Sequence, residues 1–171
     1  MKLTRIFLLL FLFVFGVSQV KAQRPMHEIH SMMLYNFMKY VNWPASTTSG
    51  DFVIGVIGDT DVHDTLIKWY GAKSKGAQKI AIKQFNSVAE ITDCHVLYIS
   101  SRKSSDFAAI KSKLSGKPTL TITDKPGLGK RGSNINFKTV SGKLKFELNQ
   151  SSLEESNLKV SSQLIGMSIL I

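Results

Sequence analysis

The stretch Asp51-Phe-Val-Ile-Gly-Val-Ile-Gly58 says more about the fold of this chain than any other segment. Its apolar residues occupy successive positions, so both faces of a strand formed here would be apolar. Such runs are typical of central strands in parallel sheets, which are covered on both sides. Asp59 or Thr60 can then cap a helix that runs to about Tyr70. The sequence therefore predicts a buried strand that leads directly into a helix.

Further apolar segments follow this strand, and we expect strands at 79–85, 94–99 and 118–123. The sequence between them predicts a short helical piece at 87–91 and a longer helix at 101–114. Strands separated by helix-length segments are typical of right-handed crossovers in a mostly parallel sheet. We therefore predict an α/β, Rossmann-like fold in which helices flank a mostly parallel central sheet.

The last third of the sequence changes its pattern. Segments 133–139 and 143–149 are typical of two strands, and Ser141-Gly142 between them is a hairpin signal. This predicts a C-terminal antiparallel hairpin. Apolar and charged residues alternate along its second strand, so we expect one buried face and one solvent-exposed, wet face. The residues expected on the wet face are Lys143, Lys145 and Glu147.

Two helices are expected after the hairpin. The first covers 151–156, and the second begins near Ser161 or Ser162. The tail 164–171 is apolar but short. We interpret it as a buried terminal helix.

The first 22 residues have the features of an export signal. Lys2 and Arg5 precede an uncharged apolar run at 6–17, and Val20-Lys21-Ala22 offers a small-residue cleavage site. A helix over that run would reach about 18 Å, which is short of the roughly 30 Å hydrocarbon core of a bilayer. The alternative is an uncleaved N-terminal membrane anchor.

We therefore predict a cleaved signal peptide at 1–22 and a single periplasmic domain at 23–171. No later stretch of about 18 apolar residues occurs in the sequence, so we expect no transmembrane span after cleavage. The formal charge of +10 falls to about +7 after cleavage, because Lys2, Arg5 and Lys21 are removed.

The basic residues of the mature domain are scattered rather than clustered with aromatic residues. This pattern argues against a nucleic-acid partner and favours a solvated basic surface. Lys73, Lys75 and Lys79 nevertheless lie close together in the sequence and suit an acidic partner.

The segment 27–41 has helical length and is stopped by Trp43-Pro44. Its apolar positions predict one main face and a second, nearly opposite patch at Leu34 and Met38. The main face comprises Ile29, Met33, Phe37, Tyr40 and Val41. The helix either packs between the sheet and another helix or offers a methionine-rich docking face to a protein. The candidate contact residues are Met32, Met33, Phe37, Tyr40 and Trp43.

Residues that could carry catalysis or bind a metal do not form a recognisable pattern. The sequence has no G-x-S-x-G, H-E-x-x-H, P-loop or S-x-x-K motif, so we predict no catalytic residues. His27 and His30 are one turn apart, but no acid or cysteine with ligand spacing joins them. We interpret both as surface histidines and expect no metal site.

Cys94 is the only cysteine, which excludes an internal disulfide. Its neighbour His95 would point to the opposite face of a strand, so the two do not form a reactive pair. We expect Cys94 to act as a small, half-buried hydrophobic residue.

The loop at 127–132 matches the pattern G-x-G-x-x-G, but its context differs from a dinucleotide site. Pro126 precedes the loop and a strand follows it, so no helix N-terminus is offered to a pyrophosphate. We therefore expect no cofactor. The loop is either a glycine-rich turn with solvated basic tips or an anion site built from free amides, Lys130 and Arg131.

A small-ligand-binding module is one alternative to a protein-binding role. Ligands of parallel sheets bind beyond the carboxyl ends of the strands. The sequence places Asp59, Ser100 and Asp124 there, with Lys130 and Arg131 as further candidates. A hydrolase with an unrecognised site is the third possibility.

Seven segments of the chain, taken in order, form a more specific pattern than any one of them. They lie at 34–44, 53–59, 94–100, 119–127, 132–137, 143–149 and 158–164. In this order they resemble the YfiR family of periplasmic regulators, and the resemblance extends from about residue 29 to residue 167.

The resemblance implies a small exported α/β domain without enzymatic activity. It implies that the partner is a membrane-embedded sensor protein, either a diguanylate cyclase or a histidine kinase, bound through its periplasmic part. Cyclic-di-GMP signalling and biofilm formation would then depend on this contact. A homodimer is left open. Some members of the family carry paired cysteines, whereas this chain has Cys94 alone.

Overall fold

An eight-stranded sheet forms the centre of the domain in the computed structural model, which describes residues 24–171. The predicted signal peptide lies outside these residues. The sheet contains a block of five neighbouring parallel strands. In spatial order these strands are β4 (Gln78–Phe85), β2 (Phe52–Ile57), β5 (Val96–Ile99), β6 (Leu120–Thr123) and β7 (Ile135–Val140).

The predicted hairpin extends this sheet on one side. Strand β8 (Lys143–Leu148) pairs antiparallel with β7, and the turn residues Ser141 and Gly142 have φ values of 50° and 73°. These left-handed conformations are those of a two-residue hairpin turn. The predicted α/β fold, with its mostly parallel sheet and antiparallel hairpin, is therefore confirmed.

Short strands complete the architecture. Strand β3 (Ser74–Lys75) lies at one edge of the sheet and β10 (Ile169–Leu170) at the other. A separate two-stranded sheet joins β1 (Val41–Asn42) to β9 (Lys159–Val160). This small sheet ties the end of the first helix to the C-terminal region.

Three helices cover one side of the central sheet, which we call the helical face. They are α1 (Met26–Tyr40), α2 (Thr60–Tyr70) and α5 (Ser162–Met167). Leu34, Leu66 and Leu164 of these helices share a buried cluster with alternate residues of the strands, such as Ile54 and Ile122. The predicted cap of α2 is confirmed, because the Asp59 carboxylate accepts a hydrogen bond from the Val62 amide at 3.1 Å.

We call the opposite side of the sheet the open face, and its two halves differ. A 3₁₀ helix (Ser101–Asp106) and α3 (Phe107–Lys113) cover the half formed by β4, β2 and β5. Phe107 and Ile110 pack there against apolar strand residues. The half formed by β6, β7 and β8 is polar although buried, and α4 (Gln150–Glu155) lies at its end. Its buried polar residues include Thr121, Thr123, Asn134, Asn136 and Glu147.

The structure corrects four local predictions. Segment 87–91 forms a turn rather than a helix, and the helix predicted at 101–114 begins as a 3₁₀ helix with non-helical backbone at Lys103. The tail 164–171 is not a buried helix. After α5 it forms β10, where the Ile171 amide donates to the Leu148 carbonyl, and Leu170 remains 47% exposed.

The fourth correction concerns Glu147, which was expected on a wet face and is 4% exposed. Its carboxylate accepts hydrogen bonds from Asn136 and Lys138, each at 2.9 Å. Burial by itself raises the pKa of Glu147, but these bonds and the nearby lysine charges bring it below its usual value. Alternation along the strand could not reveal that Gly129 would cover this side chain.

Within residues 24–171, each helix is either too short or too polar to cross a bilayer.

Candidate functional site

Three of the predicted ligand-binding residues follow adjacent strands, as expected. Asp59 follows β2, Ser100 follows β5 and Asp124 follows β6, so all three lie at the carboxyl edge of the sheet. Asp59 caps α2, and the Ser100 hydroxyl donates to the Gly58 carbonyl at 3.1 Å. These bonds give Asp59 and Ser100 structural roles at the strand ends.

Asp124 belongs to a buried hydrogen-bonded chain that also contains Tyr98 and His30. The Tyr98 hydroxyl donates to Oδ2 of Asp124 at 2.9 Å, and Nδ1 of His30 lies 2.9 Å from the same hydroxyl. Because Tyr98 has one proton to give, Nδ1 of His30 carries the proton in the second bond. The ring of His30 also stacks on Phe137, with centroids 4.3 Å apart.

Burial has the largest effect on the pKa values of His30 and Tyr98 in this hydrogen-bonded chain. It lowers the pKa of His30, although the charges of Asp124 and Asp59 act in the opposite direction. Burial also raises the pKa of Tyr98, and Asp124 adds to that effect. Oδ1 of Asp124 is buried without a hydrogen-bond partner among the described residues.

His30 is therefore a core residue, and its interpretation as a surface histidine was wrong. It is 6% exposed and its hydrogen bond to Tyr98 is buried, whereas Asp124 at the other end of the hydrogen-bonded chain is only partly buried. The bond between His30 and Tyr98 joins α1 to strand β5 of the sheet.

The glycine-rich loop at 127–132 uses its amides internally. Lys130 and Arg131 are exposed at its tip, whereas Leu128 is buried against α3. The amides of Leu128, Arg131, Gly132 and Ser133 donate to carbonyls of residues 125–129. These four amides stabilise the turn itself and are not free to bind an anion.

The predicted contact residues of the first helix are placed at different depths. Met32 is 37% exposed, and Met33, Tyr40 and Trp43 are partly buried. Phe37 is 3% exposed and lies in the core beside Phe137 and Phe146. Phe37 therefore cannot meet a partner in this structure, and we remove it from the candidate surface.

The buried side of α1 differs from the main face that the sequence predicted, and the difference has a physical cause. The buried side contains two polar residues, His30 and Ser31, as well as Leu34 and Met38. The Ser31 hydroxyl donates to the His27 carbonyl at 2.7 Å, which satisfies it inside the helix. A prediction based on apolar residues alone omitted His30 and Ser31. It therefore placed the buried side of α1 too far around the helix axis.

Lysines lie over aromatic rings beside the outer surface of α1. Tyr35 stacks on Tyr70 at 4.1 Å, and the Lys73 ammonium lies 5.3 Å from the centroid of each ring. Lys75 lies 5.0 Å from the ring centroid of Trp43, and burial lowers its pKa. Cations in such positions are held by the negative faces of the rings.

Two adjoining cavities open at the amino-terminal end of the parallel strands. The larger measures about 790 Å³ and lies between α3 and α4, and the smaller measures about 460 Å³ and lies beside Cys94. Of the predicted ligand-binding residues, only Arg131 lines either of these cavities. The expected crevice at the carboxyl edge is therefore not where these cavities lie.

Cys94 and His95 occupy opposite faces, as predicted, and each has a structural role. Cys94 is buried, and burial raises its pKa to about 12, so the reactive thiolate is suppressed. His95 accepts a hydrogen bond from the Val53 amide and donates to the Thr47 carbonyl. Within residues 24–171, no group of three or more His, Cys, Asp or Glu side chains is arranged to hold a metal ion.

Sequence reasoning missed the His30–Tyr98–Asp124 chain, although one signal for it was present. Tyr98 is the only residue with a polar side chain in the otherwise aliphatic strand Val96–Ile99. A tyrosine hydroxyl in such a strand requires a buried partner. Nothing in the sequence indicated that His30 would supply part of it.

Comparisons with known proteins identify one family. Residues 27–168 match the model of the YfiR/HmsC-like family. No curated protein matches the chain.

Two solved structures have similar folds. One is the ABC domain of Streptococcus pneumoniae in complex with L-Trp, with 11% identity and a TM-score of 0.50 over 69% of this chain and 54% of that chain. The other is a conserved domain protein from Vibrio cholerae, with 11% identity and a TM-score of 0.52 over 84% of this chain and 59% of that chain. The chain thus spans little more than half of either structure. At this identity the likeness shows the fold alone.

Proposed function

The chain belongs to the YfiR/HmsC-like family, and from this membership we infer that it is an exported, non-enzymatic regulator of a membrane signalling protein. The family match over residues 27–168 is the observation that carries this proposal. The partner is a membrane-embedded diguanylate cyclase or sensor kinase, and the regulator binds its periplasmic part. Cyclic-di-GMP output, and with it biofilm formation, then responds to the bound state.

The chemistry of the described residues supports a role in binding. The thiol of Cys94 is buried and protonated, and His30 and Tyr98 are buried in the core. A protein of this kind acts by contact. It needs a surface that prefers one state of its partner.

We place the contact on the outer surface of α1 and of the segment that follows it, which together we call the docking surface. It is formed by Met32, Met33, Tyr40 and Trp43. By helical spacing Met33 and Tyr40 lie on the same side of α1, and Met32 lies about a quarter of a turn away on the exposed side. Methionine adapts its shape to a partner, and tyrosine and tryptophan are frequent anchors of interfaces.

The charges around the docking surface indicate the character of the partner. Lys39 lies 5.0 Å from the ring centroid of Tyr35, and Lys75 lies at the same distance from Trp43. The Lys73 ammonium lies 5.3 Å from the ring centroids of both Tyr35 and Tyr70. A periplasmic segment that combines an apolar tip with acidic residues would complement this arrangement.

A modest preference is sufficient for regulation. If the regulator binds the inactive state of its partner more tightly by about 3 kcal/mol, the equilibrium shifts by about 150-fold. A few well-packed side chains commonly supply an energy of this size.

Affinity capture from detergent-solubilised envelopes tests the proposal. We expect the tagged protein to recover a membrane protein that has periplasmic residues and a cytoplasmic cyclase or kinase domain. Deleting the gene should change the cellular level of cyclic-di-GMP if that domain is a cyclase, or phosphorylation by the kinase if it is not. Recovery of no such protein, together with unchanged signalling after deletion, would contradict the proposal.

Cell fractionation tests the predicted export separately. The processed protein should be found in the periplasmic fraction. An unprocessed form in the cytosol would contradict export whatever the partner.

A further inference from the structure

The cavity between α3 and α4 lies on the open face, on the other side of the sheet from α1, the helix of the docking surface. Its volume of about 790 Å³ falls within the range of small-molecule sites in proteins, roughly 300 to 1,000 Å³. Phe107 and Leu114 line one wall, and Ser152 and Glu155 line the other. A cavity of this size between two helices requires an explanation.

The floor of the cavity is polar and fixed in place. Thr121 of β6 bonds to Oδ1 of Asn134 at 2.8 Å, and Nδ2 of Asn134 donates to the Ser152 hydroxyl at 3.0 Å. All three residues are buried. A sheet that served stability alone would present apolar residues here, as β2 and β5 do beneath α3. The polar floor is suited to a ligand that carries hydroxyl groups.

Two cations line the same cavity. Nζ of Lys111 lies 3.4 Å from the Glu155 carboxylate, so this pair joins α3 to α4. Gly132 has a φ of 101°, and a side chain there would collide with the Lys111 ammonium. Glycine at this position therefore leaves room for Lys111. Arg131 is exposed, and no side-chain hydrogen bond or ion pair within the described residues engages its guanidinium.

From these observations we propose that the cavity binds a small hydroxylated anion, of the sugar-acid or sugar-phosphate class. Lys111 and Arg131 contact the anionic group. The hydroxyl groups of the ligand bond to Ser112 and Ser115, which also line the cavity. Glu155 competes with the ligand for Lys111, so it weakens binding.

This site is independent of the proposed regulatory contact, because none of its residues belongs to the docking surface. The two proposals can therefore fail separately. Either class of anionic sugar satisfies the arrangement, and a carboxylate probe and a phosphate probe distinguish them.

Calorimetric titration of the protein isolated from the periplasmic fraction tests the site. The probes are glucuronate and glucose 6-phosphate, with neutral glucose and inorganic phosphate as comparisons. We expect saturable binding of at least one anionic sugar, and weaker binding of both comparison compounds.

Variants test the geometry. Lys111→Gln and Arg131→Gln should each weaken binding by about tenfold, since each removes a charge-assisted bond. Glu155→Gln should strengthen binding by about two- to fivefold, since it removes a competitor held in an exposed ion pair. Lys68→Gln on α2 makes the same charge change away from the cavity and should leave the affinity unchanged.

The opposite signs of these effects separate a binding site from damage to the fold, because an unfolded variant cannot bind more tightly. Absence of saturable binding by both anionic sugars would overturn the proposal. Equal affinities for Lys111→Gln and the wild type would also overturn it. If inorganic phosphate bound as tightly as the sugars, the assignment to a hydroxylated ligand would be wrong.

Discussion

The two sides of β6 show how differently the two faces of one sheet can be built. Leu120 and Ile122 point to the helical face and are fully buried among apolar residues. Thr121 and Thr123 point to the open face and are held by a network of hydroxyl and amide groups. The apolar side is closed by helices, whereas a cavity remains beside the polar side. The main hydrophobic core lies on the first side, which also carries the proposed docking surface, and the larger cavity lies on the second.

The comparison predicts that the apolar side of β6 contributes more to stability. Ile122→Ala should lower the free energy of unfolding by about 2 to 5 kcal/mol, because it leaves a cavity in the main core. Urea unfolding followed by circular dichroism measures the change. A loss below about 1 kcal/mol would mean that the helical face is not the more stabilising one.

Polar bonds buried on the helical face are the next test. Tyr98→Phe removes the hydroxyl between His30 and Asp124, and we expect a loss of about 1 to 3 kcal/mol because both neighbours lose a buried partner. Tyr35→Phe provides a matched control at a partly buried tyrosine and should change stability by less than about 0.5 kcal/mol. Equal effects of the two changes on the free energy of unfolding would show that the buried hydrogen bonds of Tyr98 do not stabilise the fold.

The open face should respond less to the loss of one hydroxyl group. Thr123→Val preserves shape but removes the hydroxyl that lies 2.7 Å from Oδ1 of Asn136 and 3.0 Å from the Ser133 hydroxyl. We expect a loss of about 1 kcal/mol in the same unfolding measurement. Thr139→Val, on the exposed part of β7, should have almost no effect. A loss larger than that of Ile122→Ala would reverse the comparison.

His30 predicts a pH dependence that belongs to the helical face. Its folded-state pKa is lowered by burial, so below the ordinary value of 6.5 the unfolded chain takes up a proton first. Stability from this residue is therefore present above 6.5 and is lost as the pH falls through the folded-state pKa. Between about pH 7 and pH 5, the wild type should lose more stability than His30→Asn. Parallel pH profiles would contradict the assignment.

The smallest effect on stability is expected at the docking surface itself. Met32→Ala should change the free energy of unfolding by less than about 0.5 kcal/mol, because this side chain is 37% exposed. It should nevertheless reduce recovery of the membrane partner in affinity capture. Normal recovery with Met32→Ala and with Tyr40→Ala would move the contact away from this surface.

The sequence predicted the parallel sheet and the hairpin because their signals are local. The apolar run at 51–58 and the Ser141-Gly142 turn required no knowledge of distant contacts. The buried side of α1 was predicted wrongly because His30 lies in the core, where it is hydrogen-bonded to Tyr98, 68 residues away in the sequence. Burial of Glu147 likewise depends on the loop that contains Gly129, and the sequence of the strand around Glu147 gives no sign of that contact.

The candidate sites were harder to predict than the fold. Asp59, Ser100 and Asp124 were placed correctly at strand ends, since the carboxyl ends of parallel strands share an edge. The larger cavity lies near the other end of the sheet because α4 meets α3 there, and this contact joins Lys111 to Glu155 across 44 residues of sequence. Spacing within the sequence could not reveal it.

Site-specific photo-cross-linking in living cells tests the central claim most directly. A photoreactive residue is placed at position 32 on the docking surface, and another is placed at position 140 on the hairpin, where Val140 has a similar exposure. We predict that position 32 yields a covalent adduct with a membrane signalling protein and that position 140 does not. No adduct at position 32, or the same adducts at both positions, would contradict the account.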